Sequence, residues 1–566
     1  MTWKNYFNMQ GKIISLSDHL NKYVKKADEC AVKENYTRAL GYLFSALSIK
    51  RTPEILSAIA NTYADMGLYA LSNQCWFYYL EKMPEKKCGR AYEELAINHF
   101  YLNNFAIAGY YFNKKLEVDG FLSQEGIDKE ILDYYSAPQE EKKFRLVYPP
   151  ERADFSDEIK KAKQKMTAGD FDGAIKIYQE IPDGVKDHDK IADDYSLACF
   201  LAGDVEKAVE INRKRLKEGG DKFTIYCNLS SMYGALKNKE KSQYYYSLAL
   251  SEPPKSTEDE YRLATASLEQ HNEEKGLALL EKVAKERQYD IDTDYLLSLV
   301  KINTGRYEEA EKLLKKLLKI NPYDFLWKYY YKLVKKLIKG DEQAKALLPI
   351  SYELDIPVKE REEWVNKVKH TALASLGTGK RPERFNEIME WGVRNYSGNE
   401  TFAKACVLSY GGLKNKAEEK FLREKLMDAD ISADLKVVML YLLVMQGVSD
   451  KISLVVSGVF VRTKPKKLKF GEDISALGFS SAYALCFSKS VVMGITDVGT
   501  IAKSAERLHE KFKRTSVYAG EGEIATLIME GCKFPYFKNL REICEIFGTD
   551  EISVSKIKRE LKGEQK

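Results

Sequence analysis

Apolar residues recur every three or four positions along much of the chain, with charged residues between them. Residues 304–322, TGRYEEAEKLLKKLLKINP, show the pattern clearly, because Ala310 and Leu314 share one face of a helix that Gly305 and Pro322 bound. Three interpretations fit such a segment. It is a basic helix for a membrane or a calmodulin-type partner, a coiled coil, or one half of a repeated helical hairpin.

The charges and the ends of this segment favour the hairpin. Glu308, Glu309 and Glu311 open the helix and lysines close it, as the helix dipole favours, whereas a membrane-surface helix has a basic face with little acid. A coiled coil needs an apolar heptad pattern sustained over at least three heptads, and Gly305 and Pro322 leave no room for one.

Self-similarity along the chain supports the same interpretation. Two columns consist of small residues 34 positions apart: Ala162, Ser196, Ser230, Ala264 and Ser298, and Ala174, Ala208, Ser242, Gly276 and Ala310. A third column is bulky except at Asn212: Tyr178, Asn212, Tyr246, Leu280 and Leu314. Small residues in strict register are required where two helix axes approach closely, so the columns predict stacked helix pairs.

The segments that carry these columns resemble the tetratricopeptide repeat. The resemblance is carried by residues 226–254 and 293–322, and nearer the start by residues 54–84, with flanking helices at 35–48 and 92–116. It implies about three repeats near the N-terminus and five in strict register, covering about half of the chain. The predicted fold is therefore all-α, a tetratricopeptide solenoid that continues into HEAT-like helical repeats.

Breaks in the period predict the domain boundaries. We expect an N-terminal repeat block over 1–121, an irregular linker over 122–154, and a second block with a capping helix over 155–340. Residues 341–447 resemble degenerate HEAT-like repeats. Residues 451–566 form a separate C-terminal domain, in which Ile452–Val456 and Val459–Thr463 predict a β-hairpin and five helices follow.

The last two predicted helices, Leu540–Phe547 and Ser553–Leu561, resemble a helix-turn-helix of the kind found in cyclin-like folds and sigma-like regulators, with Gly548 as the turn glycine. The resemblance implies that the second helix and the preceding lysines contact nucleic acid. The candidate contacts are Lys464, Lys466, Lys467, Ser553, Ser555, Lys556, Lys558 and Arg559. The whole arrangement is similar to a group of bacterial multi-repeat proteins of the Firmicutes.

Composition refines this picture in two ways. The net charge of +5 comes from the C-terminal domain, where 20 Lys and Arg face 14 Asp and Glu. The nine cysteines are scattered without close pairs, which is typical of reduced thiols in a cytoplasmic protein. No signal peptide is evident, and the longest apolar run, Val437–Met445, is too short to span a membrane.

The sequence contains no pattern typical of an enzyme. The six histidines are dispersed, and the glycines before Lys380 lack the Gly and Ser/Thr of a phosphate loop, because Ala374 and Arg381 occupy those positions. No nucleophile or dinucleotide motif is present. We therefore expect a non-enzymatic protein without a cofactor, metal or small-molecule substrate.

Stacked hairpins expose a groove lined by the first helix of each pair, which suits an extended peptide or a partner helix. The candidate groove residues lie on first helices but do not belong to the packing columns. They are Asn61, Tyr92, Asn98, Tyr226, Asn228, Asp294 and Lys301. The sequence thus predicts a cytoplasmic scaffold that binds protein partners. The alternative is a transcription-associated regulator whose tail contacts nucleic acid.

Overall fold

The computed structural model describes most of the 566 residues. These are residues 16–119, 145–147, 152–167, 170–181, 188–352, 358–378, 384–394, 400–410, 416–456, 458–463, 477–492, 495, 498–515, 517–535 and 537–563. They confirm the predicted all-α fold, an array of helical hairpins with short two-stranded pairings.

The helices follow one another with short connections. The first six are α1 (Leu16–Ala31), α2 (Tyr36–Ile49), α3 (Pro53–Asp65), α4 (Tyr69–Lys82), α5 (Gly89–Tyr101) and α6 (Phe105–Asp119). Two short strands then pair antiparallel, β1 (Arg145–Val147) and β2 (Arg152–Asp154). They lie within the predicted linker, most of which is outside the described residues.

The strict block contains α7 (Ser156–Thr167), α8 (Phe171–Glu180), α9 (His188–Leu201), α10 (Val205–Lys217), α11 (Lys222–Ala235), α12 (Lys239–Ser251), α13 (Thr257–Glu269), α14 (Glu273–Glu286), α15 (Ile291–Asn303) and α16 (Tyr307–Ile320). The helices α17 (Phe325–Ile338) and α18 (Glu342–Lys345) follow it. The stretch predicted to be HEAT-like contains α19 (Val358–Thr378), α20 (Phe385–Arg394), α21 (Glu400–Leu408), α22 (Lys416–Leu426) and α23 (Ala433–Met445).

The C-terminal stretch begins with the predicted hairpin, β3 (Ile452–Val456) paired with β4 (Val459–Thr463). Five helices follow: α24 (Leu477–Val492), α25 (Val498–Phe512), α26 (Glu521–Cys532), α27 (Leu540–Phe547) and α28 (Glu551–Leu561). The last helix starts two residues before the predicted Ser553, because the Asp550 carboxylate caps it by accepting from the amides of Ile552 and Ser553 at 2.8 and 2.9 Å.

Contacts divide the chain into two compact units. The first unit consists of Met1–Arg51, Asn61–Leu68 and Ser136–Pro357, and the second of Thr52–Ala60, Tyr69–Tyr135 and Val358–Lys566. Within the first unit, the hydroxyl of Tyr63 donates to the carbonyl oxygen of Ile320 at 2.6 Å, 257 positions later in the chain. Residues close to the N-terminus thus pack on the end of the strict block.

The small-residue columns are buried, as the packing argument predicts. All five residues of the first column have no exposed surface, and the residues of the second column are also buried. At Gly276, an added Cβ would lie 2.5 Å from a methyl carbon of Leu268. A side chain at this approach of α13 and α14 would force the buried Leu268 to shift.

A further column with the same period lies in the turns between paired helices. Gly203, Lys237, His271 and Gly305 are 34 positions apart, and each has a positive φ, between 57° and 91°. A left-handed residue after a helix turns the chain back and satisfies its last carbonyl groups. Because two of the four are not glycine, residue type alone does not reveal this column.

The β3–β4 hairpin belongs to the core of the second unit. Val455 and Phe460 pack with residues of α4, α5 and α6. The Arg462 guanidinium donates to the carbonyl oxygens of Leu80 and, at 2.9 Å, of Met83. The hairpin therefore contributes side chains and hydrogen bonds to helices that precede it by more than 300 residues.

Candidate partner-binding surfaces

A polar network joins the first helices of three consecutive repeats in the first unit. The side-chain amide of Asn228 on α11 donates to Asp193 on α9 at 2.7 Å. The Arg262 guanidinium on α13 lies 3.5 Å from the other Asp193 oxygen and 3.4 Å from the Asn228 oxygen. Asn228, a predicted groove residue, keeps some exposed surface, but its amide is already engaged by its neighbours.

Asn212, the exception in the bulky column, lies beside this network. Asn212 is buried, and its side-chain oxygen accepts a hydrogen bond from Arg215 at 2.8 Å. Arg215, itself buried, also donates to Asp193 at 2.7 Å and to both oxygens of Asp189 at 2.9 and 3.2 Å. Burial alone would raise the pKa of Asp189, but these hydrogen bonds lower it. An asparagine here accepts one of the hydrogen bonds of the buried guanidinium, which a leucine cannot do.

Two predicted groove residues on α15 are buried in ion pairs. Asp294 accepts from Lys316 at 2.6 Å, and Lys301 reaches both Glu281 and Glu309 at 2.6 Å. Burial acts against the charge of Lys301, yet the two carboxylates raise its pKa overall. These side chains tie α15 to the helices before and after it and present little surface to a partner.

Two predicted groove residues on α5 are also buried. The Asn98 amide donates to the Ser72 hydroxyl and to the Asn73 side-chain oxygen, at 2.9 Å each. The Asn73 amide nitrogen lies 3.3 Å from the neighbouring ring of His99, whose pKa burial lowers to about 4, so this histidine is neutral. Tyr92 lies in the hydrophobic core of the second unit, where burial raises its pKa.

The remaining predicted groove residues keep partial exposure. Asn61 on α3 is half-buried, and so is Tyr226 on α11, whose ring centroid lies 6.3 Å from that of Tyr245. Three of the seven predicted residues, Asn61, Tyr226 and Asn228, therefore have surface that a partner can reach.

Large apolar side chains are exposed at matching positions of two first helices. On α9, Leu197 and Leu201 are 43% and 48% exposed. On α5, in the other unit, Ile97 and Tyr101 are 45% and 58% exposed. Each pair lies one and five positions after the buried small residue of its helix, Ser196 or Ala96. We call Ile97 and Tyr101, and Leu197 and Leu201, the apolar pairs.

The pair on α5 belongs to a larger aromatic surface. The rings of Tyr101 and Tyr69 are stacked with centroids 4.7 Å apart and planes within 6°. Phe100, also exposed, contacts Phe105 edge-to-face with centroids 5.6 Å apart. The sequence predictions did not include the apolar pairs, although the sequence of each helix shows them: an apolar residue directly after the small one and another a helical turn later.

The C-terminal pair α27 and α28 has a left-handed turn between its helices. Gly548 follows α27 with φ +64°, and the hydroxyls of Thr549 and Thr526 are hydrogen-bonded at 2.9 Å. On α28, Lys556 and Arg559 are exposed and Ser553 and Ser555 are half-buried, whereas Lys558 is bound to Glu530. The predicted contacts Lys464, Lys466 and Lys467 lie outside the described residues.

Two segments of the chain match the tetratricopeptide repeat. The matched residues are 223–256 and 295–324, which correspond to the α11–α12 pair and to most of the α15–α16 pair. No protein with a curated description matches the chain.

Several solved structures of tetratricopeptide and other proteins are similar at low identity. The C-terminal part of a TPR repeat-containing protein from Cytophaga hutchinsonii is 14% identical, covers 54% of this chain and 97% of its own, and has a TM-score of 0.18. The Cut9–Hcn1 hetero-tetramer of APC/C gives 12% identity, 89% and 91% coverage, and a TM-score of 0.29. Yeast Tom70 gives 12% identity, 96% coverage of both chains, and a TM-score of 0.22.

Among the residues that the structure describes, no group of three or more His, Cys, Asp or Glu side chains is arranged to bind a metal ion. Among the same residues, no helix has both the length and the apolar character needed to cross a bilayer. All nine cysteines are described, and each is a free thiol.

Proposed function

We propose that this chain is a non-enzymatic scaffold that binds protein partners through the first helices of its tetratricopeptide hairpins. The observation that carries the proposal is the recurrence of the apolar pairs at the same repeat positions of α5 and α9. Residues spaced by four on a helix form one continuous patch, and two such patches on separate first helices suit a partner that presents apolar side chains.

The partner is an extended peptide or a helix with apolar anchor residues. Tyr226 and Asn228 on α11 and Asn61 on α3 keep exposed surface on first helices and would supply the polar rim. The nine free thiols support a reducing compartment, and we infer that the scaffold acts in the cytoplasm.

A peptide-display selection against the full chain tests this function. We expect enriched peptides to contain apolar anchors, and their affinity to fall at least tenfold in Leu197→Glu/Leu201→Glu or in Ile97→Glu/Tyr101→Glu. The matched control is Tyr244→Glu/Leu250→Glu, because both residues are exposed and apolar but lie on a second helix, α12. Enriched peptides that bind all three double variants as well as the wild type would rule out the apolar pairs as the binding surface.

A second candidate function is a nucleic-acid-binding regulator, which the α27–α28 pair favours. The left-handed Gly548 between the two helices and the exposed Lys556 and Arg559 on the second support this candidate. Lys464, Lys466 and Lys467 would add phosphate contacts. Duplex DNA should bind the full chain with an affinity that falls steeply with salt, and Lys556→Glu/Arg559→Glu should abolish that binding. Equal duplex binding by this variant and the wild type would eliminate the candidate.

A further inference from the structure

Helix α25 and the turn that follows it carry a row of exposed cations. Lys503, Arg507, Lys511 and Arg514 are all exposed and follow one another at intervals of four, four and three residues. We call these four residues the cationic row. The opposite side of the helix is buried in the core formed with α24 and α26, where Ile501 and Ala505 have no exposed surface. Because the apolar side of α25 is buried in this core, the helix has no exposed apolar face to insert into a membrane.

Within the described part of the chain, no carboxylate neutralises the cations of the row. None of the four forms an ion pair with another described residue, in contrast to Lys301 and Lys316 of the repeats. A surface depression of about 580 Å³ is lined by the row together with Glu506, His509 and Glu510. The four cations of the row outnumber the two carboxylates, Glu506 and Glu510, so this surface carries excess positive charge. Such a surface attracts an anion, and an extended anion can contact more of the row than a compact one.

The spacing of the row fits a chain of anionic groups. Four residues of helix rise about 6 Å, so Lys503 and Lys511 are separated by about 12 Å along the helix axis. Arg514 follows in the turn, two residues past the end of α25. Arginine and lysine both bind phosphate, arginine with two parallel hydrogen bonds. A polymer with one negative charge per unit can therefore contact several members of the row at once.

An exposed aromatic residue lies close to the end of the row. Tyr518, between α25 and α26, is 91% exposed, more than any other large apolar or aromatic side chain among the described residues. It follows Arg514 by four residues, so the chain places the two within about 14 Å. Its neighbours on either side, Val517 and Ala519, pack into the core, and this fixes the position from which the Tyr518 ring projects.

We propose that the cationic row and Tyr518 form a binding surface for single-stranded nucleic acid. Basic side chains that follow the phosphate backbone, next to an aromatic ring on which a base stacks, are the combination that recognises single strands without sequence preference. An acidic protein would use the cations but would gain nothing from Tyr518. A duplex has no unstacked base to offer the ring. The proposal depends neither on the scaffold function nor on α28.

Fluorescence anisotropy with the full chain tests the row. The probes are labelled oligothymidylate and oligouridylate of about twenty nucleotides, which separate DNA from RNA. We expect binding at low ionic strength and, in Arg507→Glu/Lys511→Glu, an affinity lower by at least tenfold. The slope of log K against log salt concentration should become less negative by about 1.4, because two phosphate contacts are lost. The matched control is Lys315→Glu/Lys319→Glu, two exposed lysines also four apart, on α16, which should change the affinity less than twofold.

Tyr518→Ala tests the aromatic contribution. Loss of one stacked base should weaken binding at least fivefold while leaving the salt dependence unchanged. Tyr244→Ala, which removes another exposed tyrosine, is the control.

Four outcomes would overturn the proposal: no binding of either probe at low salt, equal losses in the row variant and its α16 control, no effect of Tyr518→Ala, or displacement of the probe by polyglutamate as readily as by unlabelled oligonucleotide. Binding that is lost only in Lys556→Glu/Arg559→Glu would assign the activity to α28 and would also contradict the proposal. Circular dichroism of each variant verifies that the helices remain folded.

Discussion

The hydroxyl of Tyr111 bridges two backbone groups on either side of the first residue of β4, donating to the carbonyl oxygen of Gly458 at 2.9 Å and accepting from the amide of Phe460 at 2.8 Å. Tyr111 is fully buried on α6, and burial raises its pKa well above the usual value. One side chain thus satisfies two backbone groups of a hairpin that lies 347 residues later in the chain.

Tyr111→Phe removes this hydroxyl without changing the shape of the ring. Two partly buried backbone groups lose their partner, so we expect the free energy of unfolding of the second unit to fall by about 1–3 kcal/mol. Chemical denaturation measures the loss, and hydrogen exchange at the Phe460 amide should accelerate accordingly. Tyr244→Phe, at an exposed tyrosine, is the control and should be neutral. Unchanged exchange at Phe460 would show that the hydrogen bond does not hold the hairpin.

Gly276→Ala tests the closest approach of two helices in the strict block. The added methyl would lie 2.5 Å from a Leu268 methyl and 3.4 Å from the carbonyl oxygen of Ala264, both buried. The control is Gly41→Ala on α2, where an added Cβ meets nothing within 4 Å and the better helix propensity should stabilise by up to about 1 kcal/mol. We expect Gly276→Ala to be less stable than the control by about 1–3 kcal/mol in denaturant titrations. Equal stability of the two variants would mean that this approach tolerates a side chain.

Arg215→Leu tests the buried network on α10. The change leaves Asp193 and the Asn212 side-chain oxygen without their buried partner, and we expect a loss of about 3 kcal/mol in unfolding free energy. Arg213→Leu, two positions away on the same helix but exposed, should change stability by less than about 0.5 kcal/mol. A loss of similar size in both variants would argue that charge on α10, rather than the network, is responsible.

Lys436 makes the stability of the second unit depend on alkaline pH. Its ammonium is buried on α23 and donates to the carbonyl oxygen of Val455 on β3. Burial lowers its pKa from 10.5 to about 8, although Asp428 and Asp430 act in the opposite direction. Between pH 8 and 10.5 the unfolded chain therefore holds the proton that the folded chain has lost, and the free energy of unfolding rises with pH.

The expected gain from this lysine is about 1.5 kcal/mol between pH 8 and 9.5. Denaturant titrations at both pH values measure it, and the comparison with Lys436→Met isolates it, because all other titrating groups are shared. The variant should lack this gain, whatever its absolute stability. A wild type and variant with parallel pH profiles would show that Lys436 keeps an ordinary pKa in the folded chain.

The sequence predicts packing well wherever packing repeats. The columns through Ser230 and Ser242 are buried as expected, and the hairpin strands begin and end where the alternation of residues indicates. The turn column is harder to foresee, because Lys237 and His271 adopt a left-handed conformation that glycine would mark. Periodicity works because every repeat must solve the same steric problem with the same kind of side chain.

The exposure of polar residues on the first helices is not predictable from the sequence alone. Asn98 and Lys301 are buried with local partners, whereas Leu197 and Tyr101 are exposed. A single sequence shows which residue faces away from its paired helix, but not whether another side chain already satisfies it. Partners such as Ser72 for Asn98 lie 26 positions away, at distances set by the packing of neighbouring hairpins.

The hairpin has a consequence for how the protein is made. Ribosomes add roughly 5–20 residues per second, so the 347 residues between Tyr111 and Gly458 correspond to roughly 20–70 s of synthesis. During that interval α5 and α6 have emerged, but the strands that complete their core have not. The apolar surface around Tyr92 and Tyr111 is then open to solvent, and to any chaperone present, for far longer than a helical hairpin needs to fold.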